Sequence, residues 1–372
     1  MISVLFLIPT LDRGGAENVL VDLVNHMDQS RFRITVQTLF DQDSQKDCLK
    51  EGIEYKTFLY HQFHGNSRLQ ARIPARLLYK LIVRKRYGIV VSYLEGPTAH
   101  IISGCPYPET KKVAWFHSAH DKERGFYAGF SSKSNALKAY LGFDKIVFVS
   151  KTVQERITKT AGVDFDKSCV LYNTLNTYLI KNGSQKQLKD FSYSKSEFNI
   201  VSTGKLDPVK GYDRLARIQK KLLDLGYSTH VYVLGAGQER RSIEKYLTET
   251  GIKDYFTFLG FQENPYNYVV NADLFVCSSR REGFSTAVSE ALILGIPVIS
   301  TDCSGARELL GDHNEYGIVT ENDEEALFNG IKKYLDDRAL QIYYKQQAIK
   351  RGESFSAEKT VKAVEEMLLN IV

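Results

Sequence analysis

At 372 residues, 43% hydrophobic and 25% charged, the chain is too long for one ordinary domain. It suits two domains of roughly 150–200 residues, each able to bury its own core. Five cysteines, an odd count without CxxC spacing, argue against a disulfide framework or a structural zinc site and fit a reducing cytoplasm. No apolar run approaches the roughly 18–20 residues of a membrane span, and the net charge of +5 is unevenly spread.

The N-terminal stretch lacks a basic leader, and Asp12 and Arg13 follow its short apolar run at once. It therefore reads as a buried first strand, Ser3–Ile8, and not as a signal peptide. A helix is expected over Ala16–Met27, with Val19, Leu20, Leu23 and Val24 on one face. Strands follow at Phe32–Thr38, Gly88–Tyr93, Lys112–Phe116 and Lys145–Val149. These near-continuous apolar runs suit strands covered on both faces. From Leu179 to Ser196 the pattern lapses into a polar segment that reads as a linker.

A second series then begins. Strands are expected at Phe198–Ser202, His230–Leu234, Phe256–Leu259, Asp273–Ser278 and Pro297–Thr301. Helices are expected at Gly211–Leu225, Glu239–Thr250, Thr286–Leu294, Glu324–Leu335 and Ala357–Ile371. Alternating strands and helices indicate an α/β fold with two doubly wound parallel sheets. The domains are expected at 1–185 and 186–355, with 356–372 a C-terminal helix packing back on the N-terminal domain. Ligands bind such sheets at the carboxyl ends of the strands, where loops and helix N-termini converge.

Three stretches at those strand ends carry chemistry. Gly14-Gly15-Ala16-Glu17 opens the first helix, either as a contact for a diphosphate or neighbouring sugar, or as a tight strand-to-helix turn. Gly204-Lys205 and Lys210-Gly211 follow the first strand of the second domain, and two lysines there could neutralise a pyrophosphate. The most specific stretch runs from Ser279 to Leu292, with Glu282 and Glu290 separated by seven residues. Glu282 falls in a loop, Gly283 frees the backbone, and Ser285 is a plausible N-cap. Amides of Phe284, Ser285 and Thr286 then lie at a helix start that attracts phosphate. Glu282 can accept from sugar hydroxyls and Glu290 from a ribose diol.

These stretches, with Val149-Ser150-Lys151, Gly235-Ala-Gly237, Gly295-Ile-Pro297 and Asp302–Glu308, resemble the retaining GT-B glycosyltransferases of family 4 (glycosyl transferases group 1). The resemblance covers essentially the whole chain and is most specific at the two glutamates. It implies GT-B architecture, two Rossmann-like domains facing a central cleft, the N-terminal one binding acceptor and the C-terminal one a nucleotide-sugar. Glu282 would bind the donor sugar, Glu290 the ribose, and Lys205 and Lys210 the diphosphate, with the Gly14-Gly15 amides closing over it. Many members carry Arg where Lys205 stands, and Lys lacks the bidentate fork. His117, after the strand ending at Phe116, matches a position near the donor sugar and acceptor, where it could orient a hydroxyl or move a proton near neutral pH. His120 and His100 have no such support. Glu95, in the Glu95-Gly96-Pro97 turn, is an acceptor-side candidate. The implied mechanism is front-face displacement with retention. No cofactor and no metal are implied; the donor is a co-substrate, UDP-linked by family default.

From Tyr55 to Leu94 there is no Asp or Glu, while Arg68, Arg72, Arg76, Lys80, Arg84, Lys85 and Arg86 all fall there. With Leu69, Ile73, Leu77, Leu78, Leu81 and Ile82 interleaved, this reads as a basic amphipathic helix. Arg72, Arg76, Lys80 and Arg84 would then meet an anionic membrane surface, unless the apolar stripe is core and the arginines are only solvated. Ser131–Leu141, with Lys133 and Lys138, is a smaller version. No aromatic-basic pattern points to nucleic acid. The resemblance implies extension of a polyprenyl-diphosphate-linked saccharide for bacterial capsule or exopolysaccharide, peripheral on the cytoplasmic face of the plasma membrane. A GT-B nucleotide-sugar epimerase and a non-catalytic partner subunit are the rivals. Product analysis with and without acceptor separates them.

Overall fold

The computed structural model describes residues 1–12, 14–41, 45–59, 70–118, 123–188 and 191–372. Arg13, Arg68, Leu69 and His120 lie outside the described residues. The chain divides into two units, Met1–Leu175 with Ser356–Val372, and Asn176–Phe355.

The first unit holds a seven-stranded sheet: β1 (Ile2–Ile8), β2 (Phe32–Phe40), β3 (Glu54–Leu59), β4 (Ile89–Ser92), β5 (Lys111–Phe116), β6 (Lys145–Phe148) and β7 (Ser168–Val170). Their spatial order is β3-β2-β1-β4-β5-β6-β7, and every pairing is parallel. Val4 to Ile8 are wholly buried, as a strand with helices on both faces requires. The second unit holds β8 (Phe198–Thr203), β9 (Thr229–Leu234), β10 (Phe256–Gly260), β11 (Leu274–Cys277), β12 (Val298–Thr301) and β13 (Ile318–Thr320), in the order β10-β9-β8-β11-β12-β13, again all parallel. Its core joins Ile200, Val231, Val233, Val276 and Ile299 to Leu215, Ile218 and Leu222 of the helix Tyr212–Asp224. In each sheet the winding reverses beside the first strand, between β1 and β4 and between β8 and β11. Connections leave those neighbouring strands toward opposite faces, opening a crevice at their carboxyl ends.

Three short strands (β3, β7, β13) and the helices Pro97–Ser103, Lys151–Ala161 and Arg338–Glu353 were not anticipated from the sequence. The polar stretch read as a linker is helical at its start. Asn176 caps the helix Thr177–Ser184 by accepting from Leu179 N–H at 3.0 Å, which moves the division from 185/186 to 175/176. The helix Ala357–Asn370 belongs to the first unit. It buries Val361, Val364, Met367 and Leu368 and packs on the helix Gly15–His26. Glu365 Oε1 accepts from Asp28 N–H at 2.6 Å.

Candidate active site

In the second unit, the loops after β8 and β11 meet at the winding reversal. After β8 the chain forms a 3-10 turn, Pro208–Lys210, capped by Asp207, whose Oδ1 accepts from Val209 N–H at 3.0 Å. Gly211 then adopts φ 68°, ψ 28° before the helix Tyr212–Asp224. A Cβ there would lie 2.1 Å from the Ser278 carbonyl oxygen, so only glycine permits this approach. Ser278 Oγ donates to the Lys210 carbonyl at 2.9 Å, and Arg280 N–H to the Val209 carbonyl at 2.7 Å. Arg214 Nε donates to the Ser278 carbonyl, and Arg280 forks onto both oxygens of Asp213 at 2.7 Å. The two loops are thereby stitched together.

This frame sets Lys210 Nζ 2.6 Å from Glu282 Oε1, their side chains 27% and 12% exposed. Ser279 Oγ donates to the same oxygen at 2.6 Å. Burial works against the Lys210 charge, but the Glu282 carboxylate outweighs it and holds the ammonium above its ordinary range. The two residues assigned separately to sugar and diphosphate thus form one ion pair. Lys205 is exposed near that edge. Among the described residues no carboxylate pairs with it.

Ser285 caps the helix Thr286–Ile293, accepting from Val288 N–H at 3.4 Å, and Glu290 lies just over one turn in. The first-turn amides of that helix have no intrahelical acceptor. Gly283 and Phe284, just before that helix, are buried. Ser279, Arg214 and the Arg280–Asp213 pair were not assigned roles from sequence. Arg280 and Arg281 beside Glu282 were the available signal; the partners, some 70 residues away, were not.

In the first unit, Gly14 is the N-cap of the helix Gly15–His26 and sits next to the Glu17 carboxylate. That carboxylate occupies the helix N-terminus in the manner expected of an anion, so a phosphate could take that place only by displacing Glu17. After β4, Glu95 accepts from His117 N–H at 2.9 Å through Oε2 and from Ser118 Oγ through Oε1. Glu95 therefore ties its own turn to the loop after β5 and positions His117. The imidazole lies 4.7 Å from the Tyr93 ring and 6.2 Å, stacked, from Trp115. Its Nε2, the Tyr93 hydroxyl and Trp115 Nε1 are buried without a hydrogen-bond partner among the described residues. Burial pulls the imidazole down to about 4, with Glu95 opposing only in part. Of the two roles expected of His117, this favours orienting a hydroxyl as a neutral imidazole over moving a proton near neutral pH. Ser150 of the Val149-Ser150-Lys151 piece caps the helix Lys151–Ala161, a structural role.

The basic stretch is shorter as a helix than its four-residue spacing suggests, spanning Ala75–Ile82 with Pro74 as N-cap. Arg76 and Lys80 lie on it. Arg72 is in the preceding turn. Arg84 lies beyond it at φ 57°, its Nε donating to the Leu81 carbonyl at 2.6 Å. The apolar stripe divides: Leu78, Tyr79 and Ile82 are core, while Leu77 and Leu81 are 49% and 48% exposed among the cations. Lys85 and Arg86 find Glu54 and Glu109. Among the described residues no carboxylate pairs with Arg72, Arg76, Lys80 or Arg84.

Each unit is a doubly wound parallel sheet whose winding reverses beside its first strand, and in the second unit an acidic and a basic side chain meet at that reversal. Residues 13–178 match the family model described as Glycosyltransferase Family 4, and residues 184–351 that described as Glycosyl transferases group 1. An N-acetylgalactosamine-N,N'-diacetylbacillosaminyl-diphospho-undecaprenol 4-alpha-N-acetylgalactosaminyltransferase of Campylobacter jejuni is 33% identical over 229 residues, 61% of this chain and 60% of that protein. A UDP-Gal:alpha-D-GlcNAc-diphosphoundecaprenol alpha-1,3-galactosyltransferase of Escherichia coli is 23% identical over 316 residues, 79% of this chain and 78% of that protein. The structure of Anabaena HepE in complex with UDP and glucose superposes with a TM-score of 0.78 at 19% identity, covering 100% of both chains. The chain belongs to the family 4 glycosyltransferases of GT-B fold. The aligned stretches span 60%, 48%, 54% and 64% of the lengths of four curated relatives.

Proposed function

We propose that the protein transfers a sugar from a UDP-sugar to a polyprenyl-diphosphate-linked saccharide, with retention at the anomeric carbon, in bacterial surface-polysaccharide synthesis. The observation that carries this reading is the Lys210–Glu282 pair, fixed at the winding reversal of the second sheet beside a capped helix start. Lys210 and Ser279 both take Oε1 of Glu282, and among the described residues Oε2 has no hydrogen-bond donor, so it could accept from a donor-sugar hydroxyl. Lys210 and the exposed Lys205 would neutralise the departing diphosphate, a task that lysines perform without a divalent metal. Glu290 would take the ribose diol. In the first unit, neutral His117, held by Glu95, would orient a hydroxyl of the reacting sugars. Retention follows if the departing phosphate oxygen itself accepts the proton of the attacking hydroxyl on the same face.

The choice of UDP is supported by HepE, whose complex holds UDP and glucose, and the lipid-linked acceptor by the names of the Campylobacter and Escherichia relatives. Exposed Leu77 and Leu81 among Arg72, Arg76, Lys80 and Arg84, which pair with no carboxylate among the described residues, support peripheral attachment to an anionic leaflet, where such an acceptor resides. The test is incubation with a panel of UDP-sugars and an undecaprenyl-diphosphate-linked saccharide, with and without EDTA, and NMR of the product linkage. Acceptor-dependent transfer with the donor's anomeric configuration, unaffected by EDTA, is expected. An inverted linkage overturns retention, and epimerised donor without acceptor overturns transfer.

A further inference from the structure

The second unit carries another concavity at the opposite, amino-terminal edge of its sheet. Phe198 opens β8, Asp273 precedes β11 and Pro297 precedes β12; these ends line a groove of about 390 Å³ with the helix Arg338–Glu353. The helix presents Arg338, Gln341, Ile342 and Lys345 to it, spacings of three, four and seven that mark one helix face. Tyr344, Ala348 and Gly352, the buried residues of that helix, serve its packing. An amphipathic surface helix would put apolar groups toward its own domain along such a stripe. Here the stripe begins and ends in cations.

Arg338 Nη1 donates to Gln341 Oε1 at 2.9 Å, and among the described residues no carboxylate pairs with Arg338 or Lys345. Asp273, the one acid lining the groove, already accepts from Asn199 N–H and Nδ2 at 2.8 and 3.3 Å. Desolvation by the groove wall pulls the Lys345 ammonium below its ordinary range, with Asp273 opposing. The groove thus combines apolar Phe198, Pro297 and Ile342 with a guanidinium and an ammonium that make no ion pair with a carboxylate among the described residues, Asp273 being engaged by Asn199.

We propose that this groove binds a small phosphomonoester, its phosphate held by Arg338 and Lys345 and its carbon body lying on Phe198 and Ile342. A phosphomonoester carries close to two negative charges at neutral pH, which matches the two cations, and its oxygens suit the planar guanidinium fork. The site is separate from the nucleotide edge, at the other end of the same strands.

The experiment is a thermal-shift and calorimetric titration of the full chain with glucose 6-phosphate, with glucose as the neutral control. Wild type and Lys210→Ala are expected to be stabilised equally by millimolar glucose 6-phosphate, and neither by glucose. The double variant Arg338→Glu, Lys345→Glu should lose the shift, and the milder Lys345→Gln should weaken binding about tenfold while keeping the unliganded melting temperature. Three results overturn the proposal: no binding to wild type, binding that survives in the double variant, or binding lost in Lys210→Ala, which places the anion at the nucleotide edge.

Discussion

Lys210 and Glu282, contributed by the loops after β8 and β11, meet at 2.6 Å, with Ser279 on the same carboxylate oxygen. Glu282→Ala leaves Lys210 uncompensated and would remove the contact to the donor sugar proposed above. Transfer is expected to fall by about 10² or more. Stability should fall by about 1–3 kcal/mol, less than for a fully buried pair because both side chains retain some exposure. Glu282→Gln, which keeps a hydrogen bond but not the charge, should lose less stability. Steady-state kinetics and urea denaturation check this; parent-rate transfer by a folded Glu282→Ala protein contradicts the site.

His117 predicts a pH signature. Its folded value, about 4, lies below the unfolded 6.5, so between the two the unfolded chain binds the extra proton. The stability that this neutral imidazole permits is present above about pH 6.5 and drains away as pH falls toward 4. His117→Phe should flatten the urea midpoint across that window relative to the parent. An NMR titration of the His117 ring with its midpoint near 6.5 would contradict this.

Gly211→Ala combines a left-handed backbone at φ 68° with a Cβ 2.1 Å from the Ser278 oxygen. The loss should reach at least about 2 kcal/mol. Gly226→Ala, at φ 84° but with nothing within 4 Å, should cost only the backbone strain of about 1 kcal/mol. Comparing the two melting temperatures isolates the close approach that holds the two loops together.

For the basic face, Arg76→Glu with Lys80→Glu should reduce flotation with vesicles containing anionic lipid at least about tenfold, each reversed charge being worth about 1 kcal/mol or more at a membrane surface. Leu77→Ser with Leu81→Ser should weaken binding by a factor that salt changes little, since apolar insertion is not screened. Equal flotation of all three proteins would sink peripheral attachment through this face.

Much of this was legible in the chain. The buried strands announced themselves as continuous Val, Ile and Phe runs, and Ser285 announced the helix start that presents Glu290. β7 and β13 escaped notice because three residues carry no period. The helix Lys151–Ala161 was passed over because only Val153, Ile157 and Ala161 are buried in an otherwise polar segment. Pro74 marked the start of the basic helix, as its fixed φ allows, but the even spacing through Arg84 hid the turn there, which charge periodicity cannot report. The Lys210–Glu282 pair was beyond sequence because 72 residues separate its members and only the sheet order brings them together.

The helix Ala357–Asn370 completes the first unit across the whole of Asn176–Phe355. On a ribosome, then, the first sheet and the helix Gly15–His26 emerge long before the helix Ala357–Asn370 that packs on Gly15–His26, and they must wait with that surface bare. The second unit, an uninterrupted stretch, can close around its own core first. Glu365 gripping the Asp28 amide is a late clasp, so nascent chains should meet holding factors through the earlier-made unit.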